Sequence, residues 1–150
     1  MVIVLFGENC TGKSAIAAAL QRRLDAAVYS GRDYLRFGKN EDGAKAAFSA
    51  LLSEGGTGRN IIYVAAEPEQ LALPPKDCFS VLVTAELDTI KRRFAARTGG
   101  RLPAPVAAIL ERKHGMFDTL PHDLHLRDGA QSAAEAAETI EKAARAKRNA

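Results

Sequence analysis

The sequence predicts an α/β domain in which a mainly parallel, five-stranded sheet carries helices on both faces. Two observations predict it. Short β-branched and apolar runs alternate with longer amphipathic stretches along the whole chain, the pattern of repeating strand–helix units. The first run, Val2–Phe6, is continuously apolar, as a strand covered on both sides must be. At 150 residues the chain fits one domain, spanning 1–150, and can bury enough surface to fold without a disulfide or metal staple.

Each element has its own warrant. After Val2–Phe6, Lys13–Leu24 is an Ala-rich helix whose basic end, Arg22 and Arg23, suits a helix C-terminus. Ala26–Tyr29 is a second short strand. Glu41–Glu54 places Ala44, Ala47, Phe48, Leu51 and Leu52 on one helical face, and Gly55-Gly56-Thr57-Gly58 ends it. Ile61–Val64 has the strongest strand propensity. Phe79–Thr84 is the fourth strand, followed by a helix from Leu87 to Arg97 that Thr98-Gly99-Gly100 breaks. Pro105 suits the first turn of a helix running to Phe117. His122–Leu126 alternates as a last short strand, and Ser132 with Glu135 forms a capping box for a closing helix to about Lys147.

Composition removes several classes. Twenty-one basic and 18 acidic side chains leave a net charge of +3, which favours anionic partners but is too small to imply nucleic acid. No stretch approaches the 18 or so apolar residues of a membrane span. The apolar N-terminus has no basic leader and runs straight into Gly7-Glu8-Asn9, so it reads as a strand and not a signal peptide. Two cysteines, Cys10 and Cys78, make no disulfide framework, and a cytoplasmic protein is expected.

The chemistry lies in Gly7-Glu8-Asn9-Cys10-Thr11-Gly12-Lys13-Ser14, which satisfies G-x-x-x-x-G-K-[S/T] between a strand and a helix. Chance would produce the string in about one chain in a hundred of this length, before the flanking elements are required. Gly7 and Gly12 let the backbone turn its N–H groups onto a phosphate, and the helix N-terminus adds its dipole. Lys13 would sit on the β- and γ-phosphates of ATP, and the Ser14 hydroxyl would reach Mg²⁺.

The rest of the chain narrows the class. No N-K-x-D string reads guanine, and no acid ends Phe79–Thr84, as it would in motor or transporter ATPases; Glu67 follows Ile61–Val64 only after Ala65-Ala66. Asp33, just past the second strand, would open onto the same crevice as the phosphate loop. There it would accept a proton from an attacking hydroxyl or hold Mg²⁺ through water, or else cap a helix starting at Tyr34. Arg93 and Arg97 share a helical face as an i,i+4 pair, with Arg101 beyond the glycines. Like charges so placed repel unless an anion such as triphosphate lies between them.

With these residues in view, the chain resembles the nucleoside-monophosphate kinase and shikimate kinase group of small P-loop phosphotransferases over nearly its whole length. The resemblance rests on Gly7–Ser14, on Asp33, and on Val81–Leu87 leading to Arg93, Arg97 and Thr98-Gly99-Gly100-Arg101-Leu102-Pro103. It implies a three-layer fold with strand order 2-3-1-4-5, an acceptor-binding segment at about 34–60 and an arginine-bearing lid at about 97–103. It further implies that Lys13, Arg97 and Arg101 stabilise the transferring phosphoryl group, while Asp33 faces the acceptor and Arg36 clamps an anion. The chain departs from the group after the third strand, where Ala65-Ala66-Glu67-Pro68 replaces the usual glycine-containing strings.

The expected function is therefore Mg²⁺-dependent transfer of the ATP γ-phosphoryl group to a small anionic or hydroxyl-bearing acceptor, by a monomer or homodimer. Catalytic roles fall to Lys13, Asp33 and Arg97. Nucleotide binding falls to Gly7 through Ser14 with Arg93 and Arg101, acceptor binding to Asp33 and Arg36, and the metal to Ser14. A non-catalytic ATP-binding module and a polynucleotide 5′-hydroxyl kinase are the alternatives. His114, His122 and His125 lack partners at metal-binding spacing and read as surface or strand positions; Cys10 reads as a loop-filling residue.

Overall fold

In the computed structural model, which describes residues 1–54 and 58–150, five strands form one sheet in the order β2-β3-β1-β4-β5. The strands are β1 (Val2–Phe6), β2 (Ala27–Ser30), β3 (Ile61–Ala65), β4 (Phe79–Thr84) and β5 (Leu124–Arg127). Every pairing is parallel, so the sheet is wholly and not merely mainly parallel. The helices are α1 (Lys13–Leu24), α2 (Glu41–Glu54), α3 (Leu87–Arg97), α4 (Ala104–Lys113) and α5 (Ala133–Arg148), with 3₁₀ turns at Asp33–Phe37 and Pro68–Ala72.

Strand alternation divides the core in two. Ile3, Leu5, Ile62, Val81 and Val83 face α1 and α5, where they meet Leu20, Leu24, Ala137 and Ile140. Val2, Val4, Phe6, Tyr63 and Leu82 face the other way, onto Tyr34, Phe48, Leu52 and Phe117. All five residues of β1 are buried, which is why its sequence shows no polar alternation. The sheet is thus sandwiched between helical layers. The register aligns Phe6 with Ala65 and Leu82, Ser30 with Val64, and Thr84 with Arg127, so the carboxyl ends of the strands share one edge.

Boundaries differ from expectation at four places, the least of them β3, which runs one residue further, to Ala65. β2 and β5 each lie one or two residues later than periodicity suggests. The helix expected to reach Phe117 ends at Lys113, because His114 is extended and Gly115 takes φ +83°. That bend carries Phe117 beneath the sheet, its ring 5.7 Å from that of Phe6. Gly115 is the left-handed glycine that commonly ends a helix. The Ser132–Glu135 capping box forms as the sequence predicts. The expected break at Gly55-Gly56-Thr57 lies outside the described residues. No described helix is long and apolar enough to cross a membrane.

Candidate active site

The phosphate loop occupies the turn between β1 and α1 on the shared carboxyl edge. Gly7, at φ +156°, lies so close to β4 that a Cβ there would stand 2.1 Å from the Val83 carbonyl oxygen. No residue with a side chain fits. The Gly7 N–H donates to the Ala65 carbonyl at 3.3 Å, joining the loop to β3. Gly12, at φ +97°, precedes the first turn of α1, and Cys10 also adopts a left-handed conformation, at φ +66°. The buried Thr11 hydroxyl donates to the Glu8 carbonyl. The loop is therefore held by backbone sterics and its own hydrogen bonds.

Lys13 is folded into this loop, with its ammonium donating to the Gly7 and Glu8 carbonyls. Only 6% of the residue is exposed. Burial lowers its pKa from 10.5 to about 8; nearby Cys10 and Glu8 oppose the shift and Arg97 adds to it. A desolvated ammonium with no carboxylate bonded to it is well placed to attract a phosphate. Next to it, Ser14 is exposed.

A cavity of about 1050 Å³ opens over the loop. Asn9 through Ile16 form its floor; Arg93 and Arg97 stand on one side, Ser30, Gly31 and Ala66 on another, and the segment after β5 closes the far end. The Arg93 guanidinium donates to the Cys10 carbonyl at 3.0 Å and bridges both Asp128 carboxylate oxygens at 2.9 and 3.0 Å. It ties α3 to the loop and to β5's exit. Arg97, one turn further, lines the cavity, is exposed and makes no hydrogen bond or ion pair among the described residues. That is the charge left available for a ligand.

The residues expected to serve an acceptor are arranged differently. Asp33 does not line this cavity: its carboxylate accepts the Ser30 N–H at 2.8 Å and lies 3.7 Å from Arg36. It shapes the turn after β2; it is not the cap of a helix starting at Tyr34, since it opens the 3₁₀ turn itself, behind Arg32, and its carboxylate reaches back to Ser30. The Arg36 guanidinium is exposed near the Phe37 ring, and Arg101 is exposed and outside the cavity lining. The buried Tyr63 hydroxyl donates to the Gly31 carbonyl at 2.8 Å, fixing that turn from below; burial pushes its pKa up. Gln70 is buried and accepts the Ala66 and Glu67 N–H groups, bracing the exit from β3.

Among the described residues no cluster of three or more His, Cys, Asp or Glu could hold a metal. Glu67 is engaged with its own turn and with Lys113 at 3.7 Å. The one oxygen donor facing the cavity from the loop's helix is Ser14. Magnesium commonly takes one or two protein ligands and completes its octahedron with water and phosphate oxygens. The donor set suits Mg²⁺ delivered on a nucleotide, not a cation caged by the protein.

Two features have no counterpart in the sequence pattern. The Glu8 carboxylate, 10% exposed, meets His114 Nδ1 and the Gly115 N–H, each at 3.1 Å. Asp128, which anchors Arg93, is the other. No local pattern marks either pair, since Glu8 and His114 stand 106 residues apart. His125 lines the cavity with its imidazole 2.8 Å from the Thr84 hydroxyl.

No family model matches the chain, and no curated protein matches it in sequence. Solved structures do match. The chain is similar to the YorR protein of Bacillus subtilis, solved with phosphorylated GDP, at a TM-score of 0.71 and 20% identity over 100% of this chain and 99% of that one. It is similar to a gluconokinase of Sinorhizobium meliloti (TM-score 0.63, 16% identity, 99% and 94% covered). It is also similar to the shikimate kinase of Acinetobacter baumannii, solved with shikimate (0.65, 15%, 94% and 90%). The fold is that of the small P-loop kinases. The expected strand order and layers are those found.

Proposed function

We propose that the protein transfers the γ-phosphoryl group of Mg·ATP to a small hydroxyl-bearing or anionic acceptor. The observation that carries the reading is the buried Lys13 ammonium inside a loop whose first glycine tolerates no side chain, beneath a cavity that Arg97 lines. The fold shared with a gluconokinase and a shikimate kinase supports phosphoryl transfer.

The roles follow from charge and position. On nucleotide binding Lys13 leaves the Gly7 and Glu8 carbonyls for the phosphate oxygens, and the loop N–H groups and the start of α1 complete the cradle. Arg97, without a partner among the described residues, moves onto the charge that develops in transfer, with Arg101 following if the lid closes. Arg93 holds the loop in place from α3. Ser14 would hold Mg²⁺, which supplies charge neutralisation on the phosphate oxygens when bound. The acceptor would enter past Ser30 and Gly31, at the mouth of the turn that Asp33 shapes, with Arg36 able to swing inward. Asp33 must release the Ser30 N–H to act as a base; while it holds that bond its role is positioning.

That bond also favours the second reading, a nucleotide-binding module without an acceptor, because it engages the carboxylate expected to act as the base. Measuring ADP release from Mg·ATP separates the two. The acceptors are nucleoside monophosphates, nucleosides, shikimate, gluconate, other sugar acids, aminoglycosides and 5′-hydroxyl oligonucleotides, with Lys13→Ala as the blank. Acceptor-dependent ADP is expected. Tight Mg·ATP binding with no ADP under any acceptor would favour the module.

A further inference from the structure

The segment from Arg93 to Gly115 leaves the body of the molecule and returns to it, and both its feet stand on the phosphate loop. The near foot is the Arg93 bond to the Cys10 carbonyl. The far foot is the Glu8 carboxylate, which receives the Gly115 N–H and faces His114 Nδ1. Between the feet, residues 98–101 are exposed, Gly99 and Gly100 sit at φ +81° and +88°, and α4 has no buried residue. α3 and α4 brace each other through Lys91 and Glu111. The strap's middle is exposed and, among the described residues, bonded only to itself, through the Thr98 hydroxyl and the Gly100 N–H, while its ends are bonded to the phosphate loop.

Glu8 joins that strap to the reacting end of the loop. Its backbone carbonyl takes the Lys13 ammonium and the Thr11 hydroxyl, while its side chain takes the strap. A phosphate that draws Lys13 off this carbonyl changes the bonding of the residue that seats α4's exit. Holding a largely buried carboxylate here costs desolvation, which its two donors offset. A residue serving only to fill the loop would need no charge.

Building on the kinase reading above, we propose that Glu8 is a positioning residue: it couples occupancy of the phosphate loop to the seating of the 94–113 strap, and so brings Arg97 over the nucleotide. Glu8 meets the phosphate only through its loop backbone; its side chain is committed to the strap. Its effect runs through the Gly115 N–H, the His114 ring and Lys13.

The test uses the full chain and limited trypsin digestion after Arg97 and Arg101, with and without Mg·AMPPNP. In the wild type the analogue should slow cleavage at both bonds several-fold. Glu8→Ala keeps the loop backbone and removes only the side-chain bonds to the strap, so protection by the analogue should disappear even at analogue concentrations that saturate the variant; Glu8→Gln, which can still accept the Gly115 N–H, should restore most of it. Where an acceptor supports ADP release, Glu8→Ala should lower kcat about tenfold to a hundredfold with the KM for ATP little changed, as expected when a reacting group is misplaced by about 1 Å. If Glu8→Ala does not fold, His114→Ala removes one of the two contacts and should show partial loss of protection. Equal protection in wild type and the folded variants, or none in the wild type, overturns the coupling. Absence of ADP with intact, Glu8-dependent protection overturns the kinase reading alone.

Discussion

The two sides of the site are built on opposite terms. At the phosphate loop almost every atom has one place to be: Gly7 rests on the β4 backbone, Lys13 and Thr11 are buried, and Glu8 and Cys10 are bonded outward to the strap. Beyond the turn after β2 and in the strap, Arg36, Arg97 and Arg101 are exposed, and a Cβ added at Gly99 or Gly100 would meet nothing within 4 Å. The difference separates binding from selection. A triphosphate is the same in every reaction of this type and rewards a preformed cradle, whereas an acceptor must be enclosed after it arrives.

The sharpest way to break that contrast is at its glycines. Gly7→Ala should cost on the order of 3 kcal/mol or more in urea denaturation and abolish nucleotide binding, since neither the backbone of β4 nor the left-handed φ can yield cheaply. Gly99→Ala, in open space, should cost about 1 kcal/mol or less, from φ alone. Comparable losses at the two positions would show that the loop is no more constrained than the strap.

Lys13→Met divides stability from activity at a single residue. It should lower turnover by about a thousandfold or more, yet leave the fold as stable or about 1 kcal/mol more stable at pH 7, because a desolvated charge is replaced by an apolar chain of similar length. The sign follows from the titration: with a pKa of about 8 in the folded protein against 10.5 when solvated, the unfolded chain binds more protons between those limits. This group's contribution to stability therefore improves as pH rises from about 8 to 10.5, and Lys13→Met should remove that rise.

The same pKa sets the pH dependence of binding. Phosphate needs the ammonium, so Mg·ADP affinity should weaken by up to about tenfold per pH unit as the free protein is taken above about pH 8, with proton uptake visible in calorimetry. A flat affinity from about pH 7 to about pH 10 would remove Lys13 from the phosphate contact. The smallest structural effect should come from Arg97→Ala, exposed and without a partner among the described residues: stability within about 0.5 kcal/mol of wild type, with kcat about tenfold to a thousandfold lower.

The same contrast explains what the sequence disclosed. The phosphate loop is a local device, eight consecutive residues whose spacing is the geometry, and β1, α1 and the Ser132–Glu135 cap are equally local. The strand order implied by the resemblance is the one found. Asp33 is harder to read, because a carboxylate three residues past a strand serves a turn or an acceptor equally well, and the Ser30 N–H that it accepts at 2.8 Å depends on how the turn folds back. Glu8 with His114, and Arg93 with Asp128, depend on where α3, α4 and β5 dock. Metal-binding spacing, the usual local test of a histidine, says nothing of a partner at the other end of the chain. The early end of α4, by contrast, is legible at Gly115.

The most direct test follows the phosphorus itself. With an acceptor that stimulates ADP formation, ³¹P NMR of a reaction containing Mg·ATP and stoichiometric protein should show the γ-phosphorus reappearing as an ester or anhydride of the acceptor, and Lys13→Met should show none. A γ-phosphorus recovered only as inorganic phosphate, or turnover that survives in Lys13→Met, would contradict phosphoryl transfer by this site.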